Sequence, residues 1–268
     1  MNNSPIGIFD SGMGGLTVMR ALMQRLPRER FVYLGDTARL PYGTKSGETV
    51  RRYALQAART LTRSGVKLVV IACNTASVQL PALKEALAPL PVIGVIEPGA
   101  HAALKVAPEG PIAVIATEGT VKGGAYVRAI HDISQAPVVQ QACPLFVPMA
   151  EEGLNDGPIA EAVAHRYLDP LMARLPKPKA LVLGCTHFPA LKDVIARVVG
   201  PDVALVDSAA TTAEAVAQLV AACGLADDAQ AGEQHFLATD SPDRFARVGE
   251  IFLGSAIDPG QVEQIDLQ

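Results

Sequence analysis

Two cysteines stand in matching local sequence. Cys73 follows the apolar run Leu68-Val69-Val70-Ile71-Ala72 and precedes Asn74-Thr75-Ala76-Ser77, while Cys185 follows Ala180-Leu181-Val182-Leu183-Gly184 and precedes Thr186-His187. Runs of this kind read as buried parallel strands. Ligands of open α/β sheets bind at the carboxyl ends of such strands. Each thiol is therefore expected at the functional edge of an α/β unit, with hydroxyl residues behind it that can cap the next helix. A helix N-terminus favours an anion, so it can lower a thiol pKa or hold a substrate carboxylate. A free cysteine is also a common core residue, and that is the competing reading for either one alone. The same setting met twice argues for two working thiols. Cys143, ahead of Pro144, and Cys223, ahead of Gly224, lack that setting and read as structural.

Other polar residues fall at similar places. Asp10-Ser11-Gly12-Met13-Gly14-Gly15 follows the first apolar run. Its glycines permit a tight turn and a nest of backbone N–H groups for an anion, or an ordinary turn capped by Asp10. Beside Cys73, Asp10 could polarise a thiol or bind an amino group. His187 is two residues from Cys185, where an imidazole can lower a thiol pKa or relay its proton; His101, His131, His165 and His235 read as surface or helix residues. Gly35-Asp36-Thr37-Ala38-Arg39-Leu40-Pro41-Tyr42-Gly43 is a polar turn offering backbone and hydroxyl contacts, or simply a loop. In Pro148-Met149-Ala150-Glu151-Glu152-Gly153, a glutamate could support His187, against the plainer reading of a solvated pair at a helix start.

The elements that must position these residues alternate. Strands are expected at 6–9, 30–34, 68–72, 92–96, 112–116, 180–184 and 203–206, and helices at 16–25, 48–64, 79–88, 124–131, 159–174, 191–198 and 212–222. Such alternation predicts α/β architecture with parallel sheets. Pro5-Ile6-Gly7-Ile8-Phe9-Asp10 matches Pro111-Ile112-Ala113-Val114-Ile115-Ala116, and the run before Cys73 matches the run before Cys185, at offsets of 106 (Ile6 to Ile112) and 112 (Cys73 to Cys185). Two similar offsets in one order point to a diverged duplication, hence two pseudo-symmetric open parallel-sheet lobes whose facing strand ends form a cleft.

With 49% apolar and 19% charged residues, the 268-residue chain can build packed cores. Aromatics are 4% and tryptophan is absent, so those cores must be aliphatic. The net charge of −4 and the lack of a basic cluster argue against nucleic acid. No apolar run suggests a membrane span, and the N-terminal stretch reads as no secretory signal. Four cysteines without a C-x-x-C pair fit reduced thiols in the cytoplasm rather than a disulfide or zinc framework.

Five ordered segments carry a family resemblance: 9–15, 35–43, Ala72-Cys73-Asn74-Thr75-Ala76-Ser77, Gly184-Cys185-Thr186-His187-Phe188-Pro189 and Val206-Asp207-Ser208. Together they resemble the glutamate racemases of the aspartate/glutamate racemase superfamily over most of the chain, fading after about residue 225. The resemblance implies two lobes, 1–95 with 208–268 carrying Cys73 and 96–207 carrying Cys185, with the active site between them. It implies L- and D-glutamate as ligands, no pyridoxal phosphate or metal, a homodimer, and a role in supplying D-glutamate for peptidoglycan. Implied substrate contacts are Asp10, Ser11, Tyr42, Gly43, Asn74, Thr75, Thr186 and His187, with Thr117 and Thr120 from the second lobe. Glu151, or its neighbour Glu152, would support the second site. Cys73, Cys185, Asp10 and His187 are the implied catalytic set, Cys73 deprotonating the D isomer and Cys185 the L isomer. Competing expectations are a sister racemase for aspartate or a hydantoin, a cysteine hydrolase or transferase, a two-lobed amino-acid-binding module, and a pyridoxal-phosphate enzyme using Lys122.

Overall fold

The short Val/Ile/Leu runs form strands because helices cover both of their faces, which removes the need for polar alternation. The structure, a computed structural model, describes residues 4–174, 177–226 and 232–267, and the counts below refer to these. The polar lead-in Met1 to Asn3 lies outside them.

In chain order the first half runs β1 (Ile6–Asp10), α1 (Leu16–Arg25), β2 (Phe31–Gly35), α2 (Gly47–Arg63), β3 (Leu68–Ile71), α3 (Asn74–Ser77), α4 (Leu80–Leu87), β4 (Val92–Gly94) and α5 (Ile96–Val106). The second half runs β5 (Ile112–Ala116), α6 (Glu118–Gly123), α7 (Ala125–His131), β6 (Val138–Ala142), α8 (Phe146–Glu151), α9 (Gly157–Met172), β7 (Ala180–Gly184), α10 (Lys192–Val199) and β8 (Ala204–Asp207). The chain then continues through α11 (Ser208–Ala222), β9 (Gln234–Ala238), α12 (Pro242–Leu253) and β10 (Val262–Gln264). Every strand pairing is parallel, in a six-stranded sheet ordered β10-β9-β2-β1-β3-β4 and a four-stranded sheet ordered β6-β5-β7-β8. The segment β2-β1-β3-β4 repeats as β6-β5-β7-β8, so the sequence duplication is a duplication of topology, and β9 and β10 extend the first copy.

Alternate residues of β1 feed opposite cores. Ile6 and Ile8 join the layer of α1, α11 and α12, while Phe9 joins that of α2 and α4. In the second sheet Ile115 packs toward α8, α9 and α10, and Val114 toward α5 and α7. Both sheets are thus doubly covered α/β layers, as the alternation predicts.

Several boundaries shift by one or two residues. The expected strand 92–96 stops at Gly94, and Ile96 opens α5 instead. That helix was hidden by Pro98 and Gly99, yet proline is tolerated in a first turn because its missing N–H has no partner there anyway. The α12 helix was hidden by Pro242 and Gly249; a Cβ at Gly249 would lie 2.8 Å from Leu16 Cδ1, so glycine lets α12 close on α1. Strands β6, β9 and β10 escaped because Gln140, Gln141, Gln234 and Glu263 break the apolar pattern in strands that are edges or exposed at one end. No helix among the described residues is long and apolar enough to cross a membrane.

Candidate active site

Parallel pairing sets the thiols abreast of their polar neighbours. Phe9 pairs with Ile71, which brings Asp10-Ser11 beside Ala72-Cys73; Ala116 pairs with Gly184, which brings Thr117 beside Cys185. Both thiols are buried, each 5% exposed.

On the first-lobe side, the Cys73 thiol donates to Ser11 Oγ at 3.4 Å. Its sulfur also accepts the Ala76 N–H at 3.4 Å, so the cysteine itself caps α3, a role that sequence reading gave to the hydroxyls behind it. Asp10 is fully buried; Oδ2 accepts the Gly12 N–H at 3.0 Å and Oδ1 has no partner. Burial raises the Asp10 pKa, against the nearby His187 charge and the backbone amides of Gly15, Gly12 and Ser11, which lower it. Burial first, and the Asp10 charge second, push the Cys73 thiol up to about 12, although Ser11 and the Ala76 amide pull the other way. Asp10 was expected to polarise this thiol or to bind an amino group; its charge raises the thiol pKa, because a buried carboxylate repels a thiolate.

On the second-lobe side, Cys185 Sγ lies 3.9 Å from His187 Nδ1, and His187 Nε2 lies 3.1 Å from Glu151 Oε1. Glu151, not the exposed Glu152, is the partner, and it ends α8 rather than starting a helix. Burial disfavours the imidazolium, but the hydrogen bonds and charges of Cys185 and Glu151 outweigh it and hold the His187 pKa at about 10. The glycines after Asp10 serve this approach. None of Gly12, Gly14 and Gly15 has a positive φ, so the turn does not need glycine for its dihedrals. A Cβ on Gly14 would instead fall 2.4 Å from His187 Nδ1, and one on Gly15 would fall 2.5 Å from Asp10 Cβ.

The lobes also meet through hydroxyls. Thr75 Oγ1 lies 2.9 Å from Thr117 Oγ1 and 3.2 Å from Thr120 Oγ1, and the latter two are 3.1 Å apart. Thr17 Oγ1 donates to the Thr186 carbonyl at 3.2 Å. Tyr126 donates to Asn74 Oδ1 at 2.8 Å, leaving the buried Asn74 Nδ2 without a partner. An unpartnered carboxylate oxygen and an unpartnered amide N–H, both buried, form a complementary pair for a ligand carrying an ammonium and a carboxylate.

The expected set therefore converges, with one change of role. The Tyr42 hydroxyl donates to Asp36 Oδ2 at 2.5 Å, so the phenol is engaged within its own loop. Asp36 also takes Arg39 Nε at 2.7 Å and Thr239 Oγ1 at 2.9 Å, anchoring that loop to the segment after β9. Tyr126, Thr239 and Arg244 went unnoticed in sequence, since their partners are far away in the chain. Cys143 is buried, with its thiol 3.8 Å from the Gln141 carbonyl; Cys223 is exposed, as are Lys122 and the other four histidines.

Two pseudo-symmetric α/β sheets thus carry a buried thiol at the equivalent strand end of each. The sequence model of the Asp/Glu/Hydantoin racemase family matches residues 6–216, and the chain belongs to this family. A glutamate racemase of Geobacter metallireducens is 49% identical over 266 residues, covering 98% of this chain and 97% of its own. The crystal structure of glutamate racemase from Francisella tularensis in complex with D-glutamate superposes with a TM-score of 0.93 at 39% identity, covering 100% of this chain and 99% of that one. The Bacillus anthracis glutamate racemase isoform RacE1 gives 0.94 at 37% identity, with the same coverage. Within the family, the chain stands with the glutamate racemases, which are isomerases.

Proposed function

We propose that the chain interconverts L- and D-glutamate by moving the Cα proton between two thiols, without pyridoxal phosphate or metal. The observation that carries this reading is the placement of Cys73 and Cys185 at the ends of equivalent strands, each with its own polar partners. Racemisation must remove a proton from one face of Cα and return one to the other, which calls for a base and an acid on opposite sides. Cys73 serves the D isomer and Cys185 the L isomer, exchanging roles between directions. The substrate ammonium binds Asp10, whose free oxygen awaits a donor, and that cation offsets the repulsion between Asp10 and a Cys73 thiolate. Asn74, Thr75, Thr117, Thr120, Thr186, Ser11 and the backbone near Tyr42 and Gly43 hold the carboxylates and stabilise the carbanion electrostatically. His187 and Glu151 serve the Cys185 side.

The sheet memberships support lobes of 1–95 with 208–268 and of 96–207. The family resemblance supports a cytoplasmic homodimer that supplies D-glutamate for peptidoglycan. The deciding experiment reacts L-glutamate in deuterated water and samples early. D-glutamate should carry deuterium at Cα while the remaining L-glutamate stays protiated, because the donating thiol has exchanged with solvent. Early D-glutamate that keeps its original hydrogen would defeat the two-thiol reading, and turnover of aspartate alone would defeat the substrate.

A further inference from the structure

One face of α12, which belongs to the first lobe, touches the second lobe's acid/base group twice. Arg244 Nη2 donates to Glu151 Oε2 at 2.8 Å. Two turns further along the same helix face, Phe252 meets the His187 ring edge-on, with centroids 4.9 Å apart. Glu151 is the last residue of α8, where the helix dipole disfavours an anion. Its side chain is only 12% exposed, so water does little to steady it, while Arg244 is 40% exposed and lies over it. Each carboxylate oxygen has one partner: Oε1 faces His187 from its own lobe, and Oε2 faces Arg244 from the other. Two partners fix the carboxylate plane; one alone would leave it free to rotate.

We propose that Arg244 is a positioning residue that holds Glu151 against His187 across the seam between the lobes, and so acts on the Cys185 half of the reaction only when α12 is docked. This rests on the reading of Cys185 and His187 as an acid/base pair. The groups that set the charge of His187 are Cys185 beside it, Glu151 from α8 and Asp10 at the end of β1, with the neutral Phe252 from α12. Arg244 reaches His187 through Glu151. Burial works against a charged Glu151, yet His187 and Arg244 together bring its pKa below the ordinary value. Releasing the carboxylate would leave the buried imidazolium without its anion, and its pKa should fall.

The test uses the full chain with Arg244→Met, which keeps the apolar stem, Arg244→Lys, Glu151→Gln and the Arg244→Met/Glu151→Gln double variant. His187 is followed by NMR of its ring nitrogens, assigned with His187→Gln, and racemisation by circular dichroism. Arg244→Met should lower the His187 midpoint by about one pH unit or more and reduce kcat/KM about tenfold. Arg244→Lys should restore most of both. In the Glu151→Gln background, Arg244→Met should cost nothing further, because its intermediary is gone. An unmoved His187 midpoint, or an equal loss of activity with and without Glu151, would overturn the proposal. The titration is read on the protein alone, so a chain that failed to racemise glutamate would sink the functional reading while leaving the role of Arg244 decided by NMR.

Discussion

The two thiols occupy equivalent places and live in different surroundings. Cys73 caps a short helix beside a hydroxyl, and its burial and the buried Asp10 carboxylate raise its pKa despite those two hydrogen bonds. Cys185 stands beside an imidazole whose charge is held by Glu151, which in turn is held by Arg244. The repeated topology places the two sulfurs alike, while the nearest charged neighbour is Asp10 on one side and His187 on the other. In the proposed reading, a single ligand bridges the two, its ammonium toward Asp10 and its carboxylate toward the donors. L- and D-glutamate have equal free energy, so kcat/KM must be identical in both directions for every variant. Any asymmetry between the halves has to show in kcat and KM taken separately.

The largest expected effect is loss of either thiol. Cys73→Ser and Cys185→Ser should each reduce turnover by about a thousandfold or more, since a hydroxyl is far less acidic. Cys143→Ser and Cys223→Ser should stay near wild type by the same polarimetric assay. A Cys185→Ser protein with near-normal rates would break the comparison outright.

Gly14→Ala comes next. Its Cβ would fall 2.4 Å from His187 Nδ1, so His187 or the lobe must shift, and activity should drop about a hundredfold, because misplacement of an acid/base group by an ångström is costly. Gly47→Ala is the control: its Cβ would have 3.6 Å to the nearest atom, Gln79 Nε2, and should be tolerated.

Asp10→Asn and Glu151→Gln sharpen the contrast. Each removes one anion from one half, and each should lower kcat/KM about tenfold to a hundredfold. The two should differ in which direction suffers in kcat, as read by initial rates from each isomer. The same pattern for both would mean that the halves are not chemically distinct.

The smallest effect is on stability against pH. The His187 pKa of about 10 lies above its ordinary 6.5, so its contribution is fully present below pH 6.5 and is lost as pH rises through 10. Cys73, raised from 9.0 to about 12, acts in the same direction at still higher pH. The melting temperature of the wild type should therefore fall toward that of His187→Gln between pH 6.5 and 10, by about 2–5 °C. A gap between the two proteins that widens with pH would contradict the arrangement around His187.

Local signals carried much of this protein. The strands ending at Asp10, Ile71, Ala116 and Gly184 were legible because strands buried on both faces need continuous apolar residues, and because the pattern occurs twice. The paired thiols were legible for the same reason: a cysteine directly after such a run falls at the carboxyl end of the strand, and the setting occurs twice. His187 was visible from its nearness in sequence to Cys185. Tertiary structure alone decided the rest, since contacts between residues far apart leave no local trace. It chose Glu151 over Glu152, turned the Tyr42 hydroxyl toward Asp36, and brought Arg244 across 93 positions to Glu151. It also set the sign of the influence of Asp10 on Cys73, because whether a carboxylate steadies or repels a neighbouring thiolate depends on the burial and distance of both groups, and neither is written in the order of the residues.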